Sequence, residues 1–121
     1  MEKRWIERKP VAVAHSEETR ICNVQAALDW MMEMICTTDC RCFAVNKALF
    51  CEDFYTLKTG LAGEILQKFI NYKVKMAVYG DFLQNKSKAL RDFFYECNHG
   101  KDFFFAEKEE KAMEYLTKQG K

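Results

Sequence analysis

The sequence predicts an α/β fold: one domain over residues 1–121, with a mixed, mostly parallel sheet of about five strands and about four helices. Three observations carry that expectation. Short apolar runs recur along the chain as RWIER, VAVAH, CFAVN, KVKMAVYG and DFFFA. Between the later runs lie stretches whose apolar residues return every three or four positions, the period of a helix with one face against a sheet. Finally, 121 residues suffice for one core that buries roughly two-thirds of the unfolded chain's surface, and no linker, repeat or low-complexity segment divides them.

RWIER and VAVAH, on either side of Pro10, read as two short strands forming an opening hairpin. Val24, Ala27, Leu28, Met31, Met32 and Ile35 then recur at helical spacing, with Asn23 as the N-cap. The methionines of that stripe are core filler. CFAVN is the third strand, and KALFCEDFYTLKT follows as a polar link. In GLAGEILQKFINY one broad helical face collects Leu61, Ala62, Ile65, Leu66, Phe69 and Ile70. An earlier start would drive Lys58 into that apolar face, so Thr59 is expected as the N-cap, with Gly60 in the first turn.

KVKMAVYG is the fourth strand, and the helix after it carries a stripe of Ala89, Leu90, Phe93, Phe94 and Cys97 between Ser87 as cap and Gly100 as stop. DFFFA is a continuous apolar run, suited to a strand covered on both faces. The last helix, EKEEKAMEYLTKQ, buries Ala112, Met113 and Leu116. Its acids lie in the first turn and Lys118 at the end, as the helix dipole favours. Strands alternating with helices imply right-handed parallel crossovers.

Composition narrows the function. Nineteen Lys and Arg balance 18 Asp and Glu, so the basic footprint of a nucleic-acid binder is missing. No apolar stretch approaches the roughly 20 residues that span a bilayer, and the first residues lack a signal peptide's apolar core. A soluble cytoplasmic chain without nucleic-acid or membrane partners is expected. The CTTDCRC cluster brings Cys36, Cys40 and Cys42 together, and Cys51 would complete a tetrahedral zinc set. The spacing is unusual for zinc, and Cys42 sits in a strand-like run where thiols act as small hydrophobes. Reduced cysteines with no metal and no cofactor are expected. His15 and His99 lie far apart, and His99, before Gly100, suits a helix end.

The stretch GDFLQNKS tests for a phosphate-binding loop. Gly80, Lys86 and Ser87 match G-x-x-x-x-G-K-[ST], but Asn85 stands where the second glycine belongs. Phe82 and Leu83 occupy positions where backbone must approach phosphate, and DFFFA ends in no isolated aspartate for magnesium. No triphosphate chemistry is expected; Ser87 reads as a helix cap and Asn85 as a turn former. No paired acid and base, metal set or activated nucleophile stands out. The leading expectation is therefore a non-enzymatic regulatory or protein-interaction domain. The alternative is a small-molecule binder or enzyme in which Asn46, Lys47, Lys58, Thr59, Asp81 and Ser87 converge at the carboxyl ends of parallel strands. There Asp81 is either a polar anchor or a turn residue after Gly80. A homodimer joined by exposed Tyr55, Phe82 and Tyr95 is the third reading.

LKTGLAGEILQKFINYKVKMAVYGDF, SKALRDFFYECNHG and FFFA together resemble the small bacterial family known as domain of unknown function 4180, over about Gln25 to Leu116. That resemblance implies no established activity. The element order is also similar to STAS domains, the sulfate-transporter and anti-sigma-factor-antagonist fold, whose members act mainly by binding partners. It implies a STAS-like fold and a regulatory role. In those antagonists a Ser or Thr before a Gly, at the start of a central helix, accepts phosphate. Thr59 and Gly60 occupy the corresponding place here, although Leu57 and Lys58 after a long link replace the usual residues directly following a strand. The regulatory or ligand candidates are thus Lys58, Thr59, Gly60, Asp81 and Ser87.

Overall fold

A computed structural model describes residues 2–6, 9–81 and 88–118. Its strands are β1 (Glu2–Ile6), β2 (Lys9–Ala14), β3 (Cys42–Asn46), β4 (Lys75–Tyr79) and β5 (Phe103–Ala106), and they lie side by side in chain order. β1 and β2 pair antiparallel, while β2 through β5 run parallel. The helices are α1 (Val24–Thr38), α2 (Glu52–Tyr55), α3 (Leu61–Asn71), α4 (Lys88–Asn98) and α5 (Glu109–Lys118). The mixed, mostly parallel α/β domain expected from the sequence is the observed one, with the single turn of α2 added.

Chain order within the sheet has a steric consequence. Right-handed crossovers that always step the same way deliver every crossover helix to the same face. Accordingly α1, α3 and α4 share one core layer: Ala27, Met31, Ile65, Phe69, Leu90 and Phe94 pack with Phe43, Val45, Met76, Val78, Phe103 and Phe105. The alternating strand residues point the other way. There Val11, Val13, Ala44, Ala77, Phe104 and Ala106 meet Ala112, Met113 and Leu116 of α5. Alanines on the middle strands leave room for α5 to lie close, and Phe104 stacks on Tyr115 with ring centroids 5.2 Å apart. All four residues of β5 are buried, as a strand covered on both faces requires.

Helix faces follow the predicted stripes with a rotation. In α1 the buried residues are Ala27, Trp30, Met31 and Met34, whereas Met32 is exposed. Trp30 turns the helix inward by packing edge-on against Phe43, centroids 5.4 Å apart. In α3 Ala62, Ile65 and Phe69 are buried, and Ile70 is largely exposed. Asn23 caps α1 as expected, its Oδ1 accepting from the Ala26 N–H at 2.7 Å.

The expected polar link is the larger departure. It holds a 3-10 turn (Lys47–Leu49), α2 and a second 3-10 turn (Leu57–Thr59). Leu49, Phe50 and Phe54 in it are almost fully buried, Phe50 and Phe54 stacking at 4.1 Å. Too short for helical periodicity to show, these apolar residues still supply core.

Candidate functional site

The register sets Ala14, Asn46, Tyr79 and Ala106 near one level at the carboxyl ends of the parallel strands. In an open α/β sheet that crest is where ligands collect. Side chains here lock onto backbone. Asn46, buried at the end of β3, accepts from the Ser16 N–H at 2.7 Å and donates to the Ser16 carbonyl at 2.6 Å. Its carboxamide thereby extends the β2–β3 pairing by one rung. Next to it, Lys47 Nζ donates to the Asp81 carbonyl at 2.6 Å. The lysine stem lies across Gly80, where an added Cβ would come within 2.8 Å of Lys47 Cγ and Cδ. Tyr79 completes the row, its hydroxyl 3.4 Å from His15 Nδ1.

Tyr55 ties α2 to this crest by donating its hydroxyl proton to the Lys47 carbonyl at 2.8 Å. Burial first, and then the neighbouring Cys51, raise the Tyr55 phenol far above its usual range. It is therefore a half-buried donor rather than the exposed aromatic expected for a dimer contact. Of the other two aromatics, Tyr95 is 67% exposed and Phe82 lies outside the described residues.

Lys58, Thr59 and Gly60 form a second locus. Because β3 ends at the crest and β4 begins at the opposite end, α3 must start on the crest side of the sheet. The helix begins at Leu61, one residue later than expected, and Gly60 is its cap residue with φ of 76°. Thr59 nevertheless serves the helix start from one position further out. Its Oγ1 accepts from the Leu61 N–H at 3.2 Å and shares its proton between the carbonyls of Asp53 and Thr56, both at 2.8 Å. Lys58 stands exposed beside it.

The crest thus brings together Asn46, Lys47 and Asp81, while Lys58, Thr59 and Gly60 are organised with α2. Ser87, with the rest of the stretch 82–87 compared to a phosphate loop, lies outside the described residues. Among the described residues, no three His, Cys, Asp or Glu side chains gather as a metal set, and no helix is long and apolar enough to cross a membrane. The spacing of single residues concealed His15, Ser16 and Arg20, which line a cleft of about 190 Å³ floored by Trp30, Met34 and Leu49. Their position just after a strand end was the available signal. Arg20 is held there by its N–H on the Leu49 carbonyl, and its guanidinium is 3.7 Å from the Glu33 carboxylate.

Residues 6–116 match the family model described as domain of unknown function (DUF4180). No curated protein and no solved structure matches the chain.

Proposed function

The chain belongs to the domain of unknown function 4180 family, and we propose that it acts there as a non-enzymatic, STAS-like regulatory domain of the bacterial cytoplasm that works by binding a protein partner. One observation carries this reading: the polar groups of the crest are engaged with one another and with backbone. Asn46 holds Ser16, Lys47 holds Asp81, and Tyr79 meets His15. Side chains fixed in this way stiffen a surface instead of converging on a reacting atom. The sequential order of the strands adds support, because it lacks the reversal of winding direction that opens a ligand crevice in doubly wound sheets.

Thr59 is the proposed control point. Its hydroxyl is exposed at a helix start beside Lys58, where a negative charge gains about 0.3–1 kcal/mol from the helix dipole. A phosphate on Oγ1 removes the proton that binds the Asp53 and Thr56 carbonyls and brings about 1.5–2 negative charges. The turn between α2 and α3 then loosens while the sheet stays intact. Mass spectrometry of Thr59 in protein from its own host, combined with binding of a partner identified there, tests the idea. Thr59→Ser should retain binding and Thr59→Asp should change it. If no phosphate is found and Thr59→Asp alters neither stability nor binding, Thr59 only braces the start of α3.

The cleft beside His15 and Arg20 favours a second reading, the binding of a small molecule. At about 190 Å³ it is smaller than the roughly 300–1,000 Å³ of drug-sized sites, so only a fragment-sized anion or polar metabolite fits.

A further inference from the structure

Cys22 and Cys51 lie 29 positions apart in sequence, yet the backbone brings them side by side. The strand-like segment before α1 and the segment after β3 pair in parallel at Ile21 and Phe50. Arg20 and Ile21 donate to the Leu49 carbonyl at 3.0 Å each, and Cys51 donates to the Ile21 carbonyl at 3.1 Å. Ile21, Leu49 and Phe50 are almost fully buried, which anchors both segments. Cys22 and Cys51 are the residues that directly follow this bridge on the two segments. Neighbouring positions on paired strands lie about 4.7–4.9 Å apart, inside the roughly 4.4–6.8 Å Cα separation a disulfide spans.

Both thiols are free, Cys22 exposed and Cys51 half-buried, and the Cys51 side chain is near enough to act on the Cys22 thiol. We infer that Cys22 and Cys51 form a modification site: a thiol pair that a low-molecular-weight disulfide closes into an intramolecular disulfide, fastening the start of α1 to the start of α2.

The chemistry balances by thiol–disulfide exchange. The accessible Cys22, as thiolate, attacks the small disulfide; a mixed disulfide forms and one small thiol leaves. The Cys51 thiolate then attacks the Cys22 sulfur, forms the internal bond and expels the second small thiol. Two protein thiols are oxidised and one small disulfide is reduced to two thiols, with both protein protons released to solvent or to the departing thiolates. The neighbouring Cys51 side chain is the main influence raising the Cys22 thiol above its ordinary range, so the first step quickens as pH rises.

The test equilibrates the full chain with graded ratios of reduced to oxidised glutathione, traps free thiols by alkylation in denaturant and maps the peptides. A Cys22–Cys51 cross-linked peptide should build up, with the other four of the six cysteines alkylated. Either Cys22→Ser or Cys51→Ser should abolish the cross-link and leave glutathione on the surviving partner. Oxidation in urea should lose the preference for this pair, because the folded backbone supplies the proximity. A native chain that carries glutathione on Cys22 without the internal bond, or that links Cys22 equally to Cys36, Cys40, Cys42 or Cys97, would overturn the inference.

Discussion

Gly60 does work at the single-residue scale that no other residue could do without cost. Its φ of 76° lies in the left-handed region, and open space surrounds the place where a Cβ would point. With no clash to relieve, the whole effect of Gly60→Ala is conformational, and chemical denaturation should show a loss of about 1–2 kcal/mol. A loss below a few tenths would mean that the turn relaxes freely. The Thr-Gly pair marked this helix start in the sequence, but its exact offset was not legible, because Lys58 constrains only where the apolar face ends. Thr59 therefore acts from just outside the helix. Asn46 was legible as a residue ending a strand; its partner, Ser16, was not, since nothing in a linear pattern aligns positions 30 apart.

Among the elements, β5 is the outermost strand on the parallel side of the sheet, and its aromatic side chains make an edge there hazardous. α4 answers with Asn98, whose carboxamide accepts from the Phe105 N–H at 2.8 Å and donates to the Phe105 carbonyl at 3.0 Å. The side chain thus occupies the place a further strand would take. Asn98→Ala should lower stability by about 1–3 kcal/mol, the usual penalty for stranding such groups, and should promote association that grows with protein concentration. Unfolding measurements and light scattering over a dilution series check the two effects separately; an unchanged midpoint would show that water replaces the carboxamide without loss. Helices and strands with long apolar stripes were readable from period alone. The segment 47–59 was not, because three short turns carry no repeat, and Phe50 and Phe54 are buried by tertiary contacts with distant residues.

At the scale of the whole molecule, alkaline pH should weaken the fold through Cys97. Burial, with Glu96 adding a smaller push, raises its thiol from 9.0 to about 11. The folded chain keeps this proton where the unfolded chain has lost it. The contribution is fully present below 9 and disappears as pH climbs through about 11. Comparing urea unfolding of the wild type with Cys97→Ala across that window isolates it, because tyrosines and lysines titrate in both proteins. The wild type should lose stability more steeply; parallel curves would remove Cys97 as the cause. The α/β class was legible because strand runs and helical stripes alternate along the entire chain. The placement of four helices against one on the two faces was not, since it depends on the order in which strands pair.

That one-way order also bears on how the chain matures as it leaves the ribosome. Every strand docks on the strand made just before it, so the sheet can lengthen in step with synthesis without waiting for distant sequence. The face carrying Val11, Val13, Ala44, Ala77 and Phe104 is different: its cover, α5, emerges after all five strands. A nascent chain therefore carries one finished layer and one bare, greasy layer until α5 arrives, and the interval before α5 docks is when it most needs a chaperone.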